Sequence, residues 1–219
     1  MKTDKQNCLI LVSGGARSGK SNFAEALAEA VADRRGNADS IAYIATGQAM
    51  DPEFSRRIDA HQQRRSKRFI TYEEPLELEG ALAQALSLDD IALVECIPTW
   101  LGNLYHYSAP EKIAQRLETM VAHFRQQCAN ESTGPASNAA TMAQRIVRGE
   151  RSELSNMAEL MAKAKKIVIT VTNETGLGIV PSDAASRRYR DDLGWLNQHL
   201  AAMATAVFFS VAGIARQIK

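Results

Sequence analysis

A chain of 219 residues with 45% hydrophobic side chains can bury one full core and is short for two, so a single globular domain spanning 1–219 is expected. Its 26 Lys and Arg against 25 Asp and Glu leave a formal net charge of +1, with no global field to draw a polyanion. Nucleic acid and anionic membrane are therefore not expected as partners, and a small-molecule substrate is. Three cysteines, Cys8, Cys96 and Cys128, at irregular spacing and without a CxxC, give no disulfide frame or zinc site and suit reduced thiols of a cytoplasmic protein.

The opening "MKTDKQN" leads into an apolar run too short for a signal peptide, so it is read as part of the fold. Continuous apolar runs then recur along the chain: "NCLILV", "SIAYIAT", "RFITY", "DIALVEC", "KIVITVT" and "AVFFSVAG". Unalternated, branched-rich runs separated by helix-length segments are strands buried on both faces, which predicts an α/β fold with a mainly parallel sheet and helices on both faces. Between the first two runs, Phe23, Leu27, Ala30 and Val31 recur at helical spacing, and Arg34, Arg35 and Gly36 supply a basic last turn and a stop. Asp51 and Pro52 open a second predicted helix, on which Phe54, Ile58, His61 and Arg65 share one face. A helix from Pro110 carries an apolar stripe of Ile113, Leu117, Met120, Val121 and Phe124, with His123 off the stripe and expected in solvent.

Small polar residues then dominate "CANESTGPASNAATM", and the segment at about 128–153 is read as an insertion or loop, either a lid or a solvated linker. Near the end, "AAMATAVFFSVAGIA" falls short of the roughly 18 to 20 apolar residues that span a bilayer. A helix tail followed by a buried strand is expected there, and no membrane span.

The chemistry starts at "SGGARSGKS". Gly14, Gly15, Ala16, Arg17, Ser18, Gly19, Lys20 and Ser21 fit GxxxxGKS, directly after a strand and opening a helix. Small residues let main-chain N–H groups curl round phosphates, and the helix N-terminus adds partial positive charge. Lys20 is expected to neutralise the β and γ phosphates and Ser21 to ligate Mg2+, so the loop holds a nucleoside triphosphate. An ordinary glycine turn before a buried helix is the alternative. Glu95 ends the strand of "DIALVECIPTWLGN", where an acid reaches the magnesium shell through water; a strand-end carboxylate capping the next turn is the other possibility. Asn103, further on, is a candidate for a phosphate or ribose bond, or an ordinary amide of a turn.

His61 is open to two readings. A lone histidine beside Phe54 and Ile58 is commonly a packed core side chain, yet neutral imidazole is a competent nucleophile toward phosphorus. Around it Arg56, Arg57, Arg64, Arg65, Lys67 and Arg68 form either a solvated basic face or a hold on phosphates. In "VTNETGLGIVP", Gly176 and Gly178 allow close backbone approach to a ligand, and Arg187, Arg188 and Arg190 follow with fixed charge; a plain Gly/Pro loop before a charged helix fits equally.

Taken in order, "GGARSGKS", "YIATG", "DPEFSRRIDAH", "TYEEP", "LVECIPTWLGN", "VTNETGLGIVP", "RRYRDDLGWLNQ" and "VAGI" resemble the bifunctional adenosylcobinamide kinase / adenosylcobinamide-phosphate guanylyltransferase family of cobalamin assembly. The resemblance implies a RecA-like P-loop NTPase fold, assembly as a homotrimer, and two reactions on a corrinoid. The first moves the γ-phosphoryl group of ATP or GTP to the aminopropanol hydroxyl of adenosylcobinamide. The second forms a guanylyl-histidine from GTP and passes GMP to adenosylcobinamide phosphate, giving adenosylcobinamide-GDP. By the same resemblance His61, Lys20 and Glu95 are catalytic, Gly14 to Ser21 with Arg65 and Glu95 bind nucleotide, and Ser21 and Glu95 serve Mg2+. Ser182 and Asp183 depart from the Glu and Asn that often follow "GIVP" in the family, and the polar segment has no counterpart in its pattern. Two other classes stay open on the residues alone: a P-loop small-molecule kinase without guanylyl transfer, and a nucleotide-dependent switch or motor.

Overall fold

The computed structural model describes residues 7–36, 40–48, 56, 63, 65–128 and 152–219. The predicted second helix, with His61, Arg57 and Arg64, and most of the polar segment at about 128–153 lie outside them. Each of the six apolar runs forms a strand: β1 Cys8–Gly14, β2 Ile41–Ala45, β3 Phe69–Glu73, β4 Ile91–Glu95, β5 Ile167–Val171 and β6 Ala206–Val211. A seventh, β7 Ile214–Gln217, turns back antiparallel on β6 and closes one edge. The sheet order is β3-β2-β4-β5-β1-β6-β7, with every pairing but the last parallel. This α/β order fits a RecA-like P-loop NTPase fold.

Six helices were located among the described residues: α1 Lys20–Arg35, α2 Leu78–Leu88, α3 Ile97–Tyr107, α4 Pro110–Cys128, α5 Ser152–Met161 and α6 Ala184–Met203. Strand side chains alternate between the faces, and each set finds its own helices. Ile10, Val12, Tyr43, Leu93 and Ile169 pack with Ala24, Leu27 and Val31 of α1 and Met157 of α5. Leu9, Leu11, Ile44, Val94 and Val207 pack with Leu82, Trp100, Phe124 and Leu196 of the other four helices. Burial on both faces explains why these strands read as unbroken apolar runs rather than alternating ones.

Local signals fix the ends. Gly36 takes a left-handed conformation (φ 66°) and its N–H returns to the Ala32 carbonyl, so α1 stops where the glycine was read as a stop. Asp183 caps α6 by accepting from the Ser186 N–H at 2.7 Å. On α4 the predicted stripe is the buried one, with Cys128 added. His123 differs from expectation: it is half-buried rather than in open solvent, and that burial lowers its pKa. Phe124 is fully buried. Phe124→Ala is expected to cost about 3 to 5 kcal/mol in a urea titration, whereas a loss under about 1 kcal/mol would contradict the packing of α4 on the sheet.

Candidate active site

Parallel strands deliver their loops to one edge, and ligands of such sheets bind outside the carboxyl ends. β1, β4 and β5 end together there, around a cleft of about 730 Å³ lined by Ala16 to Asn22, Glu95, Cys96, Thr99, Asn173 and Tyr189. On the phosphate-loop side the cleft is backbone. Gly15, Ala16 and Arg17 are exposed, and Gly19 at the start of α1 has no side chain to cap the helix, so its first-turn amides are left for a ligand.

The loop's shape is held by a distant part of the chain. A Cβ on Gly14 would stand 2.3 Å from the Ser210 carbonyl oxygen, and one on Gly19 (φ 92°) would stand 3.0 Å from Gly213 Cα. Those approaches exist because the β6–β7 turn grips the loop: Ser210 Oγ donates to the Ser18 carbonyl at 2.6 Å, and the Gly213 N–H donates to the same oxygen at 2.9 Å. Glycine at both positions is thus a steric requirement.

Side chains then close the mouth. Ser21 Oγ donates to Glu95 Oε1 at 2.6 Å, joining the first turn of α1 to the end of β4. Lys20 is buried and donates to the Gly15 carbonyl at 2.5 Å; burial lowers its pKa while nearby Glu95 opposes the drop. Glu95 Oε2 is buried without a hydrogen-bond partner. Burial pushes the Glu95 carboxyl up to about 7, with the Ser21 bond, Lys20 and Arg65 pulling it down and Glu25 adding to the rise. A half-buried carboxylate with one buried, orphan oxygen beside a serine hydroxyl is a donor set that fits a hard cation or its water shell.

Arg65 stacks over the Tyr43 ring, 3.7 Å from its centroid, and donates to Thr71 Oγ1 at 3.2 Å. It lies within electrostatic range of Glu95 but does not line the cleft. Arg68 pairs with Asp33, and Arg56 and Lys67 are exposed.

Two expectations change. Asn103 does not face a ligand: it is buried, and its Nδ2 donates to the Thr46 and Pro75 carbonyls at 2.8 and 3.0 Å. It staples the end of β2 to the loop after β3, because two main-chain carbonyls buried there need donors. Nor do Arg187, Arg188 and Arg190 line the phosphate cleft. Arg187 wraps onto the Pro181 and Ser182 carbonyls, and Arg190 pairs with Asp191 at 2.9 Å.

Other residues emerge only in three dimensions. Thr46, fully buried, donates to the Cys96 carbonyl at 2.8 Å and accepts from the Cys96 N–H at 2.9 Å, fixing the turn after Glu95. Tyr189 of α6 donates to the Pro98 carbonyl at 2.8 Å and forms part of the cleft wall. Their signal is pairing across dozens of residues, which local patterns do not carry.

Glu95 sets a pH dependence. Its folded pKa lies above its ordinary 4.5, so the folded state holds the proton more tightly. That stabilisation is complete below about pH 4.5 and is lost as pH rises through about 7. Ligand-free Glu95→Gln, neutral at every pH, is expected to match wild type near pH 4 and to exceed it near pH 8 by on the order of 3 kcal/mol. Thermal midpoints across this range check it; a wild type more stable than the variant at pH 8 would contradict the buried, strained carboxylate.

Comparisons with known proteins give the family of the chain. The family model for cobinamide kinase / cobinamide phosphate guanyltransferase matches residues 10–133 and 136–218. The bifunctional adenosylcobalamin biosynthesis protein CobP of Pseudomonas aeruginosa is 36% identical over 95% of this chain and 96% of its own length. The bifunctional adenosylcobalamin biosynthesis proteins CobU of Escherichia coli and Salmonella typhimurium are 32% and 34% identical, each over 96% of this chain and 99% of their own length. With near end-to-end likeness and a phosphate loop closed by Ser21 and Glu95, the chain belongs to the cobinamide kinase / cobinamide phosphate guanyltransferase family.

Proposed function

We propose that this chain carries out both transfers of its family within one nucleotide-binding domain. It phosphorylates the aminopropanol hydroxyl of adenosylcobinamide with ATP or GTP, then moves GMP from GTP to adenosylcobinamide phosphate through a guanylyl group on His61. The observation that carries the reading is the Ser21–Glu95 hydrogen bond at the mouth of the phosphate loop. It joins the hydroxyl and the acid that a triphosphate site needs, at hydrogen-bond distance, on two separate elements.

Each residue has a task. The amides of Gly14 to Ser21 bind the phosphates, and Arg17 stands exposed on the loop to follow them. Lys20 neutralises charge on the β and γ phosphates. Ser21 and Glu95 would hold Mg2+, which when bound screens the phosphate oxygens and fixes the chain of phosphates in line. Since this chemistry is mainly positioning and charge stabilisation, a rigid, partly desolvated cradle is the protein's chief contribution.

For the second reaction the His61 imidazole attacks the α-phosphorus. An N–P bond forms, the α–β bridging bond breaks, and pyrophosphate leaves. A phosphate oxygen of the corrinoid then attacks the same phosphorus, the N–P bond breaks, and His61 is regenerated. Arg65, four residues after His61, supports this reading: it stacks on Tyr43 of β2 and lies in electrostatic range of Glu95.

Assembly as a homotrimer accords with the exposed apolar Leu177, Ile179, Val180, Ile214 and Ile218. A cytoplasmic setting accords with three free cysteines, and among the described residues no helix is long and apolar enough to cross a membrane. GTP labelled at the α-phosphate is expected to leave acid-labile, alkali-stable label on wild type and none on His61→Ala, which keeps the kinase step. Label persisting on His61→Ala would exclude this carrier, and an unlabelled wild type with kinase activity would reduce the function to phosphoryl transfer.

A further inference from the structure

The sheet order places one more side chain in the chemistry. β5 runs between β1, which delivers the phosphate loop, and β4, which delivers Glu95. Adjacent strands lie about 4.8 Å apart, so the strands that carry loop and acid are separated by about 10 Å along the sheet edge, with the carboxyl end of β5 as the floor between them. Val171 and Asn173 line the cleft at that floor. Strand alternation sends the residue between them, Thr172, to the opposite face. Val171 offers only methyl groups, whereas Asn173 brings a carboxamide with donors and an acceptor.

That carboxamide stands on a backbone fixed from two directions. Asn197 of α6, itself buried, spends its whole side chain there: Oδ1 accepts from Thr172 Oγ1 at 2.7 Å, and Nδ2 donates to the Asn173 carbonyl at 2.9 Å. From the other side the Thr172 N–H donates to the Val12 carbonyl at 2.9 Å, and the Glu174 N–H donates to the Gly14 carbonyl at 3.1 Å. Residues before and after Asn173 are therefore bonded to β1 and to the first glycine of the phosphate loop. Loop and floor form one rigid frame, with Asn173 half-buried inside it.

We infer that Asn173 is a catalytic residue of the phosphoryl-transfer step, its Nδ2 donating to a terminal phosphoryl oxygen, and that Asn197 is the residue that positions it. The inference rests on the kinase part of the function proposed above. In that step the acceptor oxygen forms the new O–P bond while the bond from the γ-phosphorus to the β–γ bridging oxygen breaks. The electron pair leaves on the nucleoside diphosphate, and the hydroxyl proton passes to water. A donor fixed at the floor gains strength as charge on the transferring oxygens shifts, and it needs no reorganisation to do so.

The test uses the full chain with adenosylcobinamide and γ-labelled ATP for one half-reaction, and α-labelled GTP for the other. Asn173→Ala is expected to lower the kinase kcat about 100-fold with the nucleotide KM within about 3-fold, while guanylyl-enzyme formation stays within about 5-fold. Asn173→Asp, of the same shape but anionic beside phosphates, should lose more than Ala, which a purely structural role would not produce. Asn197→Ala should lower the same kcat by a smaller factor. A kinase kcat within about 3-fold of wild type in Asn173→Asp, or equal losses in both half-reactions for Asn173→Ala, would overturn the inference. Because wild type is read in both assays, absence of its guanylyl label would count against the bifunctional reading, while the kinase comparison still decides the role of Asn173.

Discussion

The hydrogen bond from Ser21 to Glu95 is the constraint around which the site is organised. Ser21 belongs to the first turn of α1 and Glu95 to the last residue of β4, with β5 between β4 and the strand that leads into α1. To meet, the helix must lean across β5, and it packs on both β4 and β5. That lean turns the helix N-terminus and the loop amides over the sheet edge instead of into solvent. Desolvation of Glu95 follows from the same geometry, and it works against stability. A carboxyl pushed up to about 7, with one oxygen lacking a partner, is the kind of local cost that folded proteins retain where a ligand relieves it.

A second constraint comes from the end of the chain. The β6–β7 hairpin donates twice to the Ser18 carbonyl, from Ser210 and Gly213, so the shape of the phosphate loop depends on the C-terminal hairpin. The turn after β5 does the same from the other flank, through Glu174 onto Gly14. The loop is thus a rigid cradle made of three distant segments. Rigidity suits phosphoryl chemistry, where prepaid positioning and fixed dipoles carry most of the catalysis. These contacts are long-range, whereas the apolar stripe of a helix such as α4 is written within the helix itself.

Fold and loop were legible in the residues to different depths. All six apolar runs became strands, because burial on both faces leaves a continuous signal that short-range reading detects. The start and stop of α1 were written in Gly19 and Gly36, whose backbone conformations only glycine adopts easily. By contrast β7, with Ile214, Arg216 and Gln217 in a short edge strand of mixed polarity, carries no run to read. Asn103 stayed open because an amide after a strand looks the same whether it binds a phosphate or staples two carbonyls. Only the positions of Thr46 and Pro75 decide between those uses. The arginines after "GIVP" stayed open between two readings for a similar reason: charge is visible in sequence, but its direction depends on the helix face, and Arg187 and Arg190 turn to their own loop and to Asp191. Ser21 and Glu95, 74 residues apart, were each identifiable, while their direct bond was not.

The most direct measurement of the central claim is a double-mutant cycle on Ser21→Ala and Glu95→Gln, read as GTP affinity with and without Mg2+. If the two side chains act as one unit, the losses in the presence of Mg2+ are strongly non-additive, with a coupling of about 1 to 3 kcal/mol that shrinks when the cation is withheld. Losses that add to within about 0.5 kcal/mol in both conditions would mean that hydroxyl and acid work separately, and would contradict the account.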